Sequence, residues 1–482
     1  MKNKITFLLI LAVTLQCFKA QVVLQALDAY FSVTLESGKK RIASIYDADY
    51  FPYNINPRSA ALWQRDIAAD GIPEALVIDH QGKITTTGLR VGIPVMVQGN
   101  GILPAYSTDI TIPVTYTEDG NSRVLRFSWE AQSVTSATTY IVATIRSLGG
   151  DLLIKKLDMN MGFGTDVEGL LMGAFSYPYR YAGVFSATNV QYKLYAVTGI
   201  PDRCLGKTTS ACVGYGVNER EHDFVYTPLV GPDGKVWLGN NLGAEYAKYG
   251  STWFDPAAQA GTLDANTGQP LDSPNADQIK KDWRAYGSLF QWQRKPDGHE
   301  LINWAPSVPL TPKYNSTYNL ANSWTFPNTN LFISNGNADF SWVNNAINGK
   351  TNNLTLWQGN GENNPCPVGY HVPTHSELHT VIYKMLGYDE NNTPSLIDVA
   401  RWANERVMKL PAPGLRNFDG MLQDGDIVHM YWTSTEGRVI WNAFGTKRIG
   451  RSRALSYTGV ILRVDEIGWD RATGMSVRCL QD

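Results

Sequence analysis

The sequence predicts a multidomain protein in which an N-terminal all-β, sandwich-like region is followed by an α+β domain. Three observations predict this. Up to about residue 223, short apolar segments alternate with turn residues and no amphipathic helical stretch occurs. From about residue 224 onward, helical patterns appear among the strands. The chain has 482 residues, which is enough for two to four domains.

The first residues, 1–20, have the order of a secretory signal peptide. Two lysines precede an apolar run over 5–18, which is too short to span a bilayer. Ala20 then offers a small side chain at the cleavage site. A lipid anchor on Cys17 is disfavoured, because the residues before it lack the small side chains of a lipoprotein signal. We therefore expect a secreted or cell-surface protein without a transmembrane segment after cleavage.

Composition and charge narrow the classes of partner. The chain is 43% hydrophobic and 18% charged, which is ordinary for globular domains. Its net charge of −2 gives no reason to expect nucleic acid as a partner. The 14 Trp and 24 Tyr suit β-rich folds, and their rings with polar tips also suit binding surfaces.

The region 21–223 is predicted to form one or two β-sandwich domains. Segments 111–117 and 124–129 flank an acidic turn and predict a hairpin with a longer loop. A second turn signal, with two adjacent glycines, separates the strand candidates 140–146 and 152–159.

The region 224–482 has helical signals as well. Thr374 and Glu377 form a capping box at the start of a predicted helix over 374–385. Its apolar face consists of Leu378, Val381, Ile382 and Met385. A second helix is predicted from Pro394 to about Met408.

The chain then returns to strands, and two long segments have loop composition. The predicted strands are 429–434, 439–444, 460–464 and 475–480. Residues 256–280 and 305–365 are rich in Pro, Asn, Ser, Thr and Gly, which predicts long loops of the kind that often carry function.

Four cysteines remain after signal cleavage, and an even number in an exported chain favours disulfides. Three pairings are possible. We favour Cys204–Cys212, which closes a short loop, together with Cys366–Cys479, which closes a long loop and would pin the C-terminal strand.

Six short phrases follow one another in the C-terminal half. They are Asp233–Leu242 (DGKVWLGNNL), Tyr286–Trp292 (YGSLFQW), Cys366–Thr374 (CPVGYHVPT), Leu410–Arg416 (LPAPGLR), Tyr431–Glu436 (YWTSTE) and Ser476–Cys479 (SVRC). In this order they resemble the motifs of the Fibrobacter succinogenes major paralogous (FISUMP) family, over residues 224–482. The resemblance implies a C-type-lectin-like fold, an exported or surface-attached location and no established catalytic role.

No metal site is expected. His371, His375 and His379 have regular spacing, but Pro373 keeps His371 off the helix. The remaining pair has no third ligand in view, and the phrase HSELH differs from the zinc motif HExxH. Calcium-dependent sugar binding, as in lectins of this fold, is also not expected, because Ala443 follows Trp-Asn where a carboxylate is needed.

No enzyme activity and no cofactor are expected. Nucleophile, P-loop and dinucleotide motifs are absent from the sequence. Formylglycine-generating oxidases share the lectin-like fold but need reactive cysteines, whereas Cys366 and Cys479 lie in phrases of structural character. A formylglycine-type enzyme therefore stays a minor alternative.

The segment 437–473 is the candidate contact surface. Its candidate ligand-binding residues are Trp441, Arg448, Arg451, Arg453, Tyr457, Trp469 and Arg471. Trp, Tyr and Arg dominate binding hot spots, and arginines hold carboxylates well. The competing interpretation places alternate side chains in the core and the arginines on a solvated strand edge.

These observations together predict a surface-exposed or secreted binding or adhesion protein with an unknown glycan or protein partner. The alternative from another class is a structural subunit of a surface fibre.

Overall fold

The structure is a computed structural model that describes most of the chain. It describes residues 30–50, 76–159, 167–305, 311–336, 340–348, 354–388, 401–402, 405–441, 448–458, 462–464 and 468–482. The predicted signal peptide 1–20, with Cys17, lies outside these ranges. Among the described residues, none of the helices has the length and apolar character needed to cross a membrane.

Strands dominate the N-terminal part. In chain order they are β1 Ser32–Leu35, β2 Gly38–Ala43, β3 Ile45–Tyr50, β4 Leu76–His80, β5 Lys83–Ile84, β6 Leu89–Gln98, β7 Gly101–Leu103, β8 Tyr106–Ile112, β9 Arg123–Trp129, β10 Gln132–Val134, β11 Tyr140–Leu148, β12 Leu152–Leu153, β13 Leu157–Asp158, β14 Leu170–Pro178, β15 Arg180–Tyr181, β16 Asn189–Val197 and β17 Ile200–Pro201.

The C-terminal part has shorter strands. They are β18 Val225–Tyr226, β19 Pro228–Val230, β20 Val236–Leu238, β21 Phe290–Gln291, β22 Ile302–Asn303, β23 Thr311–Pro312, β24 Ser316–Thr317, β25 Phe332–Ile333, β26 Tyr370–His371, β27 Leu415–Arg416, β28 Leu422–Gln423, β29 His429–Trp441, β30 Arg448–Tyr457, β31 Leu462–Val464, β32 Trp469–Asp470, β33 Gly474–Met475 and β34 Leu480–Gln481.

In the described ranges, helices are few and short. The α-helices there are α1 Thr209–Val213, α2 Ala276–Lys281, α3 Asn345–Asn348 and α4 His375–Met385, and the 3₁₀ turns include Val114–Tyr116, Glu245–Ala247 and Trp283–Ala285. The predicted loops 256–280 and 305–365 contain only α2, α3 and strand pairs of two residues each, where they are described.

Two sheets enclose the N-terminal core. One is six-stranded, in the order β15-β1-β6-β11-β9-β8, and the other is three-stranded, in the order β14-β16-β2. Side chains alternate between buried and partly exposed along β9 and β11, as expected for strands with one covered face. The Phe127 ring of β9 stacks on Phe175 of β14 at 5.3 Å and on Tyr192 of β16 at 5.2 Å. The predicted β-rich character of this region is therefore confirmed, with α1 as a short helical exception.

Of the two predicted strand pairs in this region, the first is confirmed and the second is only partly formed. β8 and β9 form the expected antiparallel hairpin, but β8 ends at Ile112 because the 3₁₀ turn follows Pro113. The segment predicted as one strand over 152–159 is divided. β12 pairs with β5, and β13 runs parallel to β3.

The C-terminal part gathers distant segments into four-stranded sheets. One sheet has the order β19-β20-β34-β26 and another the order β21-β33-β27-β28. A third is centred on β30, which pairs with β29 on one side and with β31 and β32 on the other. Helix α4 packs Leu378, Val381 and Ile382 into a buried cluster with Leu455 and Tyr457 of β30. The structure is thus a multi-sheet β protein with few helices, in agreement with the predicted β and α+β regions.

The first predicted helix is confirmed and the end of the second is wrong. Thr374 caps α4 by accepting a hydrogen bond from the Glu377 N–H, and both halves of the capping box are present. Most of the second predicted helix, 394–408, lies outside the described residues, but 405–408 are not helical. There the Glu405 carboxylate accepts the backbone N–H groups of the next residues, including Lys409 at 2.8 Å, and so closes a tight turn.

The predicted C-terminal strands are partly confirmed. Residues 429–434 and 439–441 belong to one long strand, β29, while 442–447 lie outside the described residues. The predicted strand 475–480 is interrupted, because its backbone bonds to different neighbours in turn. Ser476 O accepts from Trp432 N, and Cys479 O accepts from Leu238 N.

The last seven residues, 476–482, form what we call the C-terminal anchor. The buried Arg478 guanidinium donates to the carbonyls of Leu238 (3.2 Å), Gly239 (3.1 Å) and Met408 (3.2 Å). Leu480 pairs with strands on both sides, β20 and β26. The anchor therefore joins the start, the middle and the end of the C-terminal part.

The N- and C-terminal parts pack on each other. Ile45 of β3 and Val225 of β18 lie in one buried cluster, against which Phe254 also packs. The Arg41 Nη1 atom donates to the Pro228 carbonyl at 2.6 Å. The interface thus combines an apolar core with a charged hydrogen bond.

Both expected disulfides are present, Cys204–Cys212 and Cys366–Cys479, with sequence separations of 8 and 113 residues.

A disulfide that closes a longer loop reduces the conformational entropy of the unfolded chain more strongly. Replacing Cys366 and Cys479 by alanine should lower the free energy of unfolding by about 4–5 kcal/mol, and the Cys204/Cys212 pair by about 2–3 kcal/mol. Urea unfolding followed by Trp fluorescence measures both, and equal or reversed losses would contradict the loop-length argument.

Candidate functional site

The candidate contact surface centres on the half of β30 that helix α4 leaves uncovered. Arg451, Arg453, Leu455 and Tyr457 alternate along β30 and so share one side of the sheet. Leu455 and Tyr457 are buried beneath α4, whereas Arg451 and Arg453 are partly exposed. We call the surface formed by these two arginines and His375 the contact face.

Arg453 is held in place by the start of α4. Its Nη1 atom lies 3.3 Å from His375 Nδ1, within hydrogen-bonding distance. The His375 backbone N–H donates to Thr435 Oγ1 at 2.9 Å, and Thr433 Oγ1 donates to the Arg453 carbonyl at 2.8 Å. The guanidinium is therefore held by His375, while Thr435 fixes the His375 backbone and Thr433 fixes the Arg453 backbone, before any ligand binds.

Arg451 is paired across the sheet. It lies opposite Asp470 of β32 and donates to the Asp470 carboxylate. Burial raises the pKa of Asp470, and the Arg451 guanidinium opposes that rise. Arg451 therefore has part of its hydrogen-bonding capacity committed to Asp470, so Arg453 is the better candidate for direct ligand contact.

A row of stacked rings on α4 borders the contact face. His375 and His379 have ring centroids 6.0 Å apart, and His379 stacks on Tyr383 at 4.0 Å. Tyr388 continues the row, with the Arg401 guanidinium 4.8 Å from its ring centroid. Burial lowers the pKa of His379, and His375 adds to that effect. The sequence presents these histidines only as candidate zinc ligands. The i, i+4, i+8 spacing of 375, 379 and 383 is nevertheless a signal that the three rings lie along one side of the helix.

Two of the seven sequence candidates are buried, so their predicted surface role is corrected. Arg471 is 0% exposed, donates to Asn348 Oδ1 at 2.8 Å and lies over the Trp292 ring. Tyr457 is 6% exposed and stacks against Trp402 at 4.5 Å. Both residues stabilise the core that supports the contact face.

The remaining candidates lie around the same hairpin. Trp469 is partly buried and packs against the large C-terminal core. Trp441 and Arg448 pair with each other at the described end of the β29–β30 hairpin, and their side chains lie outside what the structure describes. The contact face therefore rests on Arg451 and Arg453.

His371 has a structural role. Its Nδ1 bonds to Asp482 at 2.7 Å and its Nε2 to Glu377 at 3.2 Å. Burial alone would lower the pKa of His371, but these two carboxylates outweigh it and raise the pKa. His371 thereby connects the start of α4 to the C-terminal anchor, and both of its ring nitrogens are occupied.

A group of metal-ligand type occurs elsewhere among the described residues. Asp297, His299 and Glu300 bring such atoms within 4.8 Å of one another, and all three are buried. Asp297 already accepts from Arg294 (2.8 Å) and from His299 Nδ1 (2.7 Å). His299 Nε2 accepts the Gln291 N–H at 2.9 Å, so both ring nitrogens of His299 already have hydrogen-bond partners. These partners fit a structural network, and a cation here would have to displace them.

The chain matches no protein-family model, no curated protein and no solved structure. The resemblance to the FISUMP family therefore rests on the six motifs alone.

Arg471 supplies a test that separates support from binding. Arg471→Gln removes the buried cation that lies 3.4 Å from the partly buried Glu436 carboxylate and the donor to Asn348, and should lower the free energy of unfolding by about 3 kcal/mol or more. Arg453→Gln, on the partly exposed side of the strand, should lower it by less than about 1 kcal/mol. Urea unfolding measures both variants, and a small loss for Arg471→Gln would show that its buried position is wrong.

The buried His222–Glu300 pair makes stability depend on pH. His222 Nε2 donates to Glu300 Oε1 at 2.7 Å. Burial alone would lower the pKa of His222, but Glu300 outweighs it and raises the pKa to about 9, from 6.5 in the unfolded chain. The folded protein therefore holds a proton that the unfolded chain releases, so this stabilisation is complete below pH 6.5 and is lost as the pH rises to about 9. Urea unfolding at several pH values should show this decline, and His222→Gln should reduce its slope; an equal slope in both proteins would refute it.

Proposed function

We propose that this protein is an exported binding or adhesion protein that presents a C-type-lectin-like contact face to a surface glycan or protein. The observation that carries the proposal is the position of Arg453. It is partly exposed on the uncovered half of β30 and is held by His375 at 3.3 Å. A fixed guanidinium is a good donor to carboxylate, sulfate or hydroxyl oxygens.

The lectin-like part of the proposal is supported by how the chain closes. Trp237, near the beginning of the six motifs, pairs with Leu480 near their end, and His371 pairs with Leu480 on the other side. The Cys366–Cys479 disulfide pins this closure. A long hairpin, β29–β30, then extends from a fixed frame with a helix on one side, which suits the presentation of a variable face.

Export is supported by the two disulfides, because such bonds form and persist mainly in oxidising compartments. The predicted signal peptide 1–20 is consistent with this location.

A binding role is favoured over an enzyme by the state of the reactive groups. The four described cysteines form two disulfides, so none of them offers the thiol that a formylglycine-generating oxidase needs. The buried histidines and acids around His299 bond to one another rather than lining an open cavity.

The test is a glycan array and whole-cell binding assay with the full chain and two matched variants. Arg453→Gln removes the exposed arginine of the contact face. Arg126→Gln removes a partly exposed arginine of the N-terminal sheet, which is ion-paired with Asp109 at 2.7 Å. We expect Arg453→Gln to weaken binding about tenfold or more, and Arg126→Gln to leave it unchanged.

Equal binding by wild type and Arg453→Gln would reject the contact face. Absence of binding by the folded wild-type protein on both arrays and cells would favour the fibre-subunit alternative instead.

A further inference from the structure

A groove runs along β2 and continues into the interface between the N- and C-terminal parts. Three adjoining depressions all have Lys39 in their walls. The first, about 660 Å³, lies along β2 and β16, and the others, about 230 and 150 Å³, lie where β2 faces the C-terminal part. The two smaller depressions also share Lys40, Thr262 and Lys409, whereas the first shares only Lys39 with them.

The groove is lined mainly by cations at its inner end. Strand β2 contributes three consecutive basic residues, Lys39, Lys40 and Arg41, and the turn after 405 contributes Arg406 and Lys409. The two acidic residues described in its walls are already paired. Glu168 bonds to Lys39 and Asp272 to Arg90, each at 2.6 Å. The described side chains that line the groove therefore carry a net positive charge.

The turn that presents Lys409 is fixed on several sides. Lys409 has a positive φ of 44°, a conformation that side chains other than glycine rarely adopt without support. Its N–H donates to Glu405 Oε2 at 2.8 Å, Gln259 donates to the Val407 carbonyl at 3.1 Å, and Arg478 donates to the Met408 carbonyl at 3.2 Å. The groove wall, through Gln259, and the C-terminal anchor, through Arg478, thus both hold this strained turn, which places Lys409 in the lining of the groove.

The Lys409 ammonium has no hydrogen bond or ion pair with another part of the chain that the structure describes. The nearby Glu405 carboxylate instead accepts backbone N–H groups of the turn. Burial lowers the pKa of Lys409 to about 8, and repulsion from Lys40 and Arg406 adds to this, against attraction by Glu405. Lys40 and Lys409 line the same depressions and have no ion pair with a carboxylate among the described residues, so an external anion would stabilise this pair of charges.

We propose that this groove binds an acidic polysaccharide, with a carboxylate or sulfate group between Lys40 and Lys409. The outer depression is suited to neighbouring sugar rings of the same polymer, because Asn189, Gln191 and Tyr195 line it with amide and phenol groups. This site is separate from the contact face and does not depend on it.

The experiment measures binding of the full chain to polygalacturonate, heparin and neutral dextran at low and high salt. The first polymer carries carboxylates and the second mainly sulfates, so the stronger binder identifies the anion. The test variant is Lys40→Gln/Lys409→Gln. The matched control is Lys83→Gln/Lys155→Gln, which removes the same charge from exposed positions of the N-terminal part.

We expect the wild type to bind at least one polyanion, with affinity that falls as salt rises, and not to bind dextran. The test variant should lose about tenfold or more in affinity, while the control variant stays within about twofold. If the double variant folds poorly, Lys40→Gln alone replaces it, because this change removes no described bond. The single variant should show a smaller loss of affinity for the polyanion.

Three results would overturn the proposal. They are no polyanion binding by the wild type, an equal loss of affinity in the test and control variants, and a loss of affinity in Arg453→Gln, measured beside them, that the test variant does not show. The last would assign the polyanion to the contact face, so failure of the groove and failure of the contact face can be distinguished.

Discussion

The C-terminal anchor is the constraint on which the rest of the C-terminal part depends. Its disulfide, Cys366–Cys479, fixes the last strand to the entry of helix α4. The buried Arg478 guanidinium meanwhile donates to the carbonyls of Leu238, Gly239 and Met408. One of these belongs to Met408, in the turn that presents Lys409. The same buried guanidinium therefore supports the frame of the contact face and the wall of the basic groove.

Local signals in the sequence predicted the elements that local physics determines. The capping box of Thr374 and Glu377 specified the start of α4, because its hydrogen bonds join residues three positions apart. The prediction that the second helix extends to about Met408 is wrong, because the Glu405 carboxylate accepts the backbone N–H groups that follow it. The β12 and β13 pairings involve strands far away in the chain, which the pattern of 152–159 does not encode.

The candidate site was predictable as a segment but not residue by residue. Arg451 and Arg453 are partly exposed, as a contact role requires, yet Arg471, directly after Asp470, lies in the core. Its burial depends on the Trp292 ring and on Asn348, both distant in sequence. The basic groove was missed because its cations come from β2 and from the turn at 405–409, and only the folded chain brings them together.

We propose that the uncovered half of β30, beside the first turns of α4, is the binding surface. Hydrogen–deuterium exchange of the full chain, with and without the glycan that binds best on the array, tests this position. The ligand is expected to protect amides within 375–383 and 448–453. Protection confined to other parts of the chain, such as 37–41 and 189–195 along the groove, would contradict it.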